Sequence, residues 1–108
     1  MATEHVVCLV TTPTDRARAI AEAIVDRELV ACVNIVPVVH SVYRWEGRVE
    51  QDDESLLVIK TTRDVVAPLT DAVRELHPYE NFELVVLEIV AGAPAYLDWI
   101  AASVRRSG

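Results

Sequence analysis

Two long β-forming runs, Ala31 to Trp45 and Arg48 to Thr62, are separated only by Glu46 and Gly47, and no other feature constrains the fold as strongly. A two-residue connection containing glycine, which adopts positive φ at no steric cost, closes a tight hairpin. In an unbroken register Tyr43 faces Glu50, His40 faces Asp53 and Val33 faces Lys60. Pro37 breaks into that register, because proline cannot donate to a ladder. Strands this long commonly bend at a bulge, so pairings beyond Pro37 are open to a slip of one residue.

Around this hairpin the pattern alternates. Val6 to Val10 reads as an apolar strand, and Thr12, Pro13, Thr14 and Asp15 as a turn leading into a helix that runs to about Glu28. Ala17, Ile20, Ala21 and Ile24 form its inner stripe, with Arg16, Arg18, Glu22 and Asp26 largely elsewhere. Val66, Leu69, Val73 and Leu76 mark a second amphipathic helix with Pro68 in its first turn. Leu84 to Val90 reads as the last strand, broken by Gly92 and Pro94. Tyr96 to Arg105 reads as a short terminal helix, with Arg105 and Arg106 suited to the negative end of its dipole. The order β-α-β-β-α-β plus a helix predicts one α+β domain over residues 1–108, of the ferredoxin-like kind with a long central hairpin. Two right-handed crossovers place both long helices on one face of the sheet.

The other face is the problem such a fold must solve. Val6 to Val10, Leu56 to Ile59 and Leu84 to Leu87 are apolar at both alternating positions, although a monomer with helices on one side needs a polar second face. The terminal helix is too short to cover it. With 52 % apolar residues in a 108-residue chain, burial against further copies is the economical solution, and we expect an obligate homo-oligomer.

The net charge of −7 comes with basic residues scattered along the chain rather than gathered on a stripe, which argues against a nucleic-acid partner. No apolar run approaches the length of a membrane span. Cys8 and Cys32 form no CxxC pair, and the N-terminal MATEHVV lacks signal-peptide regions, so the expected setting is the cytoplasm with reduced thiols.

The segment His77-Pro78-Tyr79-Glu80-Asn81-Phe82-Glu83 holds an imidazole, a phenol and two carboxylates on a connection stiffened by Pro78. His77 reads either as a cap on the preceding helix's carbonyls or as a binding group, with Glu80 a companion donor for Cu²⁺ or Zn²⁺. Lys60 reads either as a snorkelling strand end or as a cation held for an anionic ligand. Trp45 divides between subunit anchor and ligand platform, and Tyr79 between buried corner and ligand contact. Cys32 divides between a core thiol and a soft ligand or nucleophile. No nucleophile, base and orienter set is recognisable, so an enzyme is the least favoured class.

Several short motifs occur in an order that resembles the CutA divalent-cation tolerance family over nearly the whole chain. They are Ala31-Cys32-Val33-Asn34-Ile35 with Pro37; Ser41, Tyr43, Trp45, Glu46 and Gly47; Lys60-Thr61; His77-Pro78-Tyr79-Glu80; and Tyr96, Leu97, Trp99 and Ile100. The resemblance implies a homotrimer related in architecture to PII signalling proteins. It also implies an intersubunit cleft gathering Cys32, Trp45, Lys60, His77, Tyr79, Glu80 and Glu83. The implied role is divalent-metal tolerance with modest-affinity binding, copper before zinc, no obligatory cofactor and no catalysis. The alternative is a PII-like sensor or scaffold using the same cleft. Val10 and Leu76 stand where copper-linked members carry Cys and His, and Phe82 stands where the family pattern has Pro.

Overall fold

The computed structural model describes residues 4–105. It contains β1 (His5–Thr12), α1 (Ala17–Asp26), β2 (Cys32–Trp45), β3 (Arg48–Thr62), α2 (Val66–Leu76), β4 (Val85–Glu88) and α3 (Pro94–Ser103), with a 3₁₀ turn, Arg63–Val65, leading into α2. The strands form one sheet in the order β2-β3-β1-β4, every pair antiparallel, which is the expected ferredoxin-like arrangement.

Alternation on β1 decides the core. Val6, Cys8, Val10 and Thr12 are buried, and Val6, Cys8 and Val10 pack with Leu57 and Ile59 of β3 against Ala17, Ile20 and Ile24 of α1 and Leu69, Ala72 and Val73 of α2. Both long helices therefore lie on one face. Ala17, Ile20, Ala21 and Ile24, the predicted stripe, are the buried residues of α1. That helix ends before the expected Glu28, which adopts φ 59 beyond the C-cap while Leu29 N–H reaches back to the Ile24 carbonyl at 3.2 Å. This is a Schellman-type stop made with a glutamate where glycine is usual.

The opposite face carries the cross-strand rows Cys32–Lys60–Val7–Leu87 and Asn34–Val58–Leu9–Val85. Leu87 and Val85 are 51 % and 46 % exposed in the single chain, so this apolar face is open. α3 lies against β1 and β3 of the sheet, and burial, then the Cys32 thiol, raise the Tyr96 phenol above its ordinary value. No helix among the described residues is long and apolar enough to cross a membrane.

Three expectations change. β4 is four residues long and pairs with β1 only from Val6–Glu88 to Leu9–Val85, because the chain turns away after the Ile89 N–H bonds the His5 carbonyl. Pro94 starts α3 instead of preceding it, since the first helical turn needs no N–H from that position. Arg105 does not complement the α3 dipole; it pairs with Glu28 at 2.7 Å, tying the last described residue to the end of α1. Arg106 lies outside the described residues.

The hairpin register is as predicted near the turn, with Tyr43 opposite Glu50 and His40 opposite Asp53. Between Val36 and Val39 it shifts: Pro37 and Val38 oppose Ser55 alone, so Lys60 faces Cys32 rather than Val33. The Ser55 hydroxyl donates to the Pro37 carbonyl at 2.7 Å and locks this bulge. Beyond it β2 and β3 have no further strand beside them among the described residues and project from the sheet as a two-stranded arm.

Candidate functional site

Side chains alternate along a strand, so one extra residue exchanges the faces of everything that follows on that strand. Below the bulge, even-numbered β2 residues share the open face with Leu56, Val58 and Lys60. Beyond it, odd-numbered residues take that side. Ser41, Tyr43 and Trp45 thereby join Asp52 and Glu54, while His40 turns to the other side, where its ring contacts Asp53 at 2.6 Å and Gln51 at 3.0 Å. The Tyr43 hydroxyl donates to the Asp52 carboxylate across the strands.

The second wall is the strap from Pro78 to Glu83, whose geometry is set by His77. At the C-cap of α2, His77 has extended backbone angles and its N–H bonds the Val73 carbonyl at 2.7 Å. Its ring is not directed at the helix carbonyls. Nε2 lies 2.8 Å from the Thr11 carbonyl, past the last β1–β4 pair, and Nδ1 lies 3.1 Å from the Tyr79 amide nitrogen. One tautomer satisfies both contacts: Nε2–H donates to Thr11 and Nδ1 accepts from Tyr79. Phe82 stacks on the ring at 5.4 Å between centroids, and the Arg74 guanidinium lies 5.7 Å from the Phe82 ring centre. Phe82 is therefore a packing element that holds the strap on α2.

Arm and strap enclose an open groove of about 1080 Å³, bordered by Thr11, Tyr43, Trp45, Glu54, Tyr79 and the carboxylates of Glu80 and Glu83. Its field is negative. Burial, then the charges of Glu54, Asp52 and Asp15, raise the Tyr79 phenol above its ordinary value. Tyr43 is pushed up to about 12, chiefly by its hydrogen bond to Asp52.

The seven residues expected in one cleft separate in a single chain. Trp45, Tyr79, Glu80 and Glu83 border the groove. His77 is 7 % exposed and forms the wall behind it, with both ring nitrogens engaged by backbone. His77 caps α2 through its backbone N–H on the Val73 carbonyl, while its ring lies against Thr11 and Tyr79. Cys32 and Lys60 sit together on the open face, where the Lys60 ammonium donates to Asn34 Oδ1 and the Cys32 thiol lies 3.7 Å from the same oxygen. Among the described residues, no three of His, Cys, Asp and Glu converge as a metal-binding group.

Sequence reasoning missed Tyr43, Glu54, Asn34 and Tyr96 as members of these clusters. Asn34 and Tyr43 were within legible motifs. Glu54 lay in the acidic run Glu50 to Glu54, which by itself reads as a solvated face.

Comparison with known proteins places this geometry. Residues 6–103 match the model of the CutA1 divalent ion tolerance protein family. Mouse Protein CutA is 44 % identical over 103 residues, an alignment covering 92 % of this chain; the chain spans 58 % of that longer protein. The divalent cation tolerance protein of Thermus thermophilus superposes with a TM-score of 0.91 at 45 % identity, covering 94 % of this chain and 99 % of its own. A Nostoc protein described as PII-like protein CutA, in apo form, superposes with a TM-score of 0.88 at 33 % identity, covering 93 % and 97 %.

Proposed function

Because this chain belongs to the CutA1 divalent ion tolerance family, we propose that it serves divalent-cation tolerance as a cytoplasmic homotrimer that binds ions such as copper with modest affinity. The family match over residues 6–103 carries the reading. Modest affinity follows from the donor chemistry. Strong Cu²⁺ or Zn²⁺ sites need three or four well-placed donors, whereas His77, the one imidazole in the expected cleft, spends both nitrogens on Thr11 and Tyr79. Carboxylates such as Glu80 and Glu83, held on the strap, remain as oxygen donors.

Assembly follows from the open sheet face. Leu87, Val85 and Val36 are half-exposed there, and burying such side chains recovers roughly 1.5 to 3 kcal/mol each. In the trimer Cys32 and Lys60 of one subunit close a cleft with Trp45, Tyr79, Glu80 and Glu83 of another, which is why one chain separates them. Sedimentation together with calorimetric Cu²⁺ titration tests both parts. The expected result is a trimer with saturable uptake that Glu80→Gln and Glu83→Gln together weaken; a stable monomer at micromolar concentration, or no saturable uptake, refutes it.

One observation favours a second reading, a PII-like sensor of a small anion. Lys60 has an amide partner and no carboxylate partner among the described residues, leaving its charge uncompensated on the open face. Native mass spectrometry of protein taken directly from cells separates the two: a retained organic anion supports the sensor, and stoichiometric metal supports the tolerance role.

A further inference from the structure

Glu54 and Lys60 stand at opposite ends of one apolar strip, each lacking what the other carries. Glu54 is only 9 % exposed, yet among the described residues no hydrogen bond or ion pair reaches its carboxylate. A buried anion is costly unless a cation or a hydrogen-bond donor meets it. Lys60 has the reverse need, because its ammonium donates to the neutral Asn34 side chain and meets no carboxylate among the described residues. Both lie on the open face of β3, with Leu56 and Val58 between them on that face. At roughly 3.3 Å per strand residue they are held about 20 Å apart, so the two side chains of one chain cannot meet.

The remaining cations do not suit Glu54. Arg27, Arg63, Arg74 and Arg105 pair with Glu75, Glu88, Asp71 and Glu28. Arg16 and Arg18 lie at α1, behind the sheet, and Arg44 and Arg48 flank the turn at the tip of the arm. Lys60 is the single lysine of the sequence and, among the described residues, the one lysine or arginine on the open face of the four-stranded sheet. We infer that Lys60 of each subunit pairs with Glu54 of the partner subunit, while the apolar side chains between the two charges are buried against that neighbour. The inference rests on the proposed trimer and names the charges that close its cleft. Glu54 and Lys60 belong to different patches, so each subunit offers its carboxylate to one neighbour and its ammonium to the other, the head-to-tail arrangement of a closed ring. Paired in this way, Lys60 leaves Glu80 and Glu83 to the proposed metal. It also offers no free charge to an organic anion, which counts against the sensor.

A water-soluble carbodiimide condenses a carboxylate with an amine in direct contact, and a chain with one lysine makes its product readable. In the unaltered full-length protein, covalent dimers and trimers are expected on a denaturing gel, with Lys60 joined to Glu54 in the linked peptides. Sedimentation of the untreated protein decides the assembly separately, and a monomer removes the pair together with the trimer. A trimer whose Lys60 links to Asp52, Glu80 or Glu83 instead, or to nothing, overturns the pair and leaves the assembly standing. Urea unfolding at one protomer concentration supplies an independent sign. Glu54→Gln should lower the midpoint because it strands the partner subunit's Lys60, whereas loss of an unpartnered buried anion would raise it. Lys60→Met should lower it as well, and the double substitution should fall no further than the lower of the two. A raised midpoint in Glu54→Gln, or falls that simply add, overturns the inference. Should either variant fail to fold, the crosslink in the unaltered protein still decides it.

Discussion

His77 joins three elements at once, and its replacement offers a direct test of whether it is a structural joint or a ligand. His77→Ala removes the bonds to the Thr11 carbonyl and the Tyr79 amide, each worth about 1 kcal/mol net. It also removes the Phe82 stack, worth roughly 0.5 to 1.5 kcal/mol. Together these give about 3 kcal/mol, or a fall in melting temperature of roughly 12 to 24 °C for a domain of this size. His77→Asn should recover part of that loss, because its side-chain oxygen can accept the Tyr79 N–H while the Thr11 bond stays broken. Urea unfolding followed by circular dichroism, at one fixed protomer concentration because association contributes to stability, measures all three proteins. A loss in His77→Ala below about 0.5 kcal/mol, the range of ordinary surface substitutions, would refute the structural account.

At the arm's tip Glu46 and Gly47 have φ of 50 and 78, so both central positions are left-handed as in a type I′ turn. Glu46→Asn should raise stability by about 0.5 to 1 kcal/mol, and a lower urea midpoint would contradict the turn assignment. The Asp53 hydrogen bond, more than Gln51 or the Asp53 charge, raises the His40 imidazole above 6.5. Its contribution to the arm is therefore complete below that value and fades as pH rises through the raised one. NMR titration should place His40 above 6.5 and Asp53→Asn should bring it back, whereas titration at or below 6.5 in the unaltered protein would dispose of the pair. Burial pushes the Cys8 thiol up to about 11, so iodoacetamide at pH 8 should leave Cys8 unlabelled until the protein is unfolded. Labelling of the folded protein at the rate of a free thiol would show that the core opens.

The sequence made the helices and the sheet order readable because burial periodicity is local. Ala17, Ile20, Ala21 and Ile24 report their own environment, and so do Val6, Val10 and Ile59. The slip at Pro37 was also legible, since a missing donor in a ladder has few remedies. What depended on a distant segment was not. The use of His77 requires the Thr11 carbonyl, 66 residues away, to lie past the end of β4. The burial of Glu54 requires the arm to fold against the strap, and its neighbours Asp52 and Asp53 are exposed. Pro94 was misplaced because the same residue ends strands and begins helices.

The bulge at Pro37 and Val38 has a consequence for how such chains can vary. Composition between Val36 and Val39 matters less there than the number of residues. Any pair that can follow the bend leaves Tyr43 and Trp45 where they are, while loss of one of the two would make the ladder regular, with the pairs from Val39–Glu54 to Trp45–Arg48 unchanged and the bend gone. A single-codon deletion at this point would thus straighten the arm against the sheet without changing which side chains share a face with Glu54.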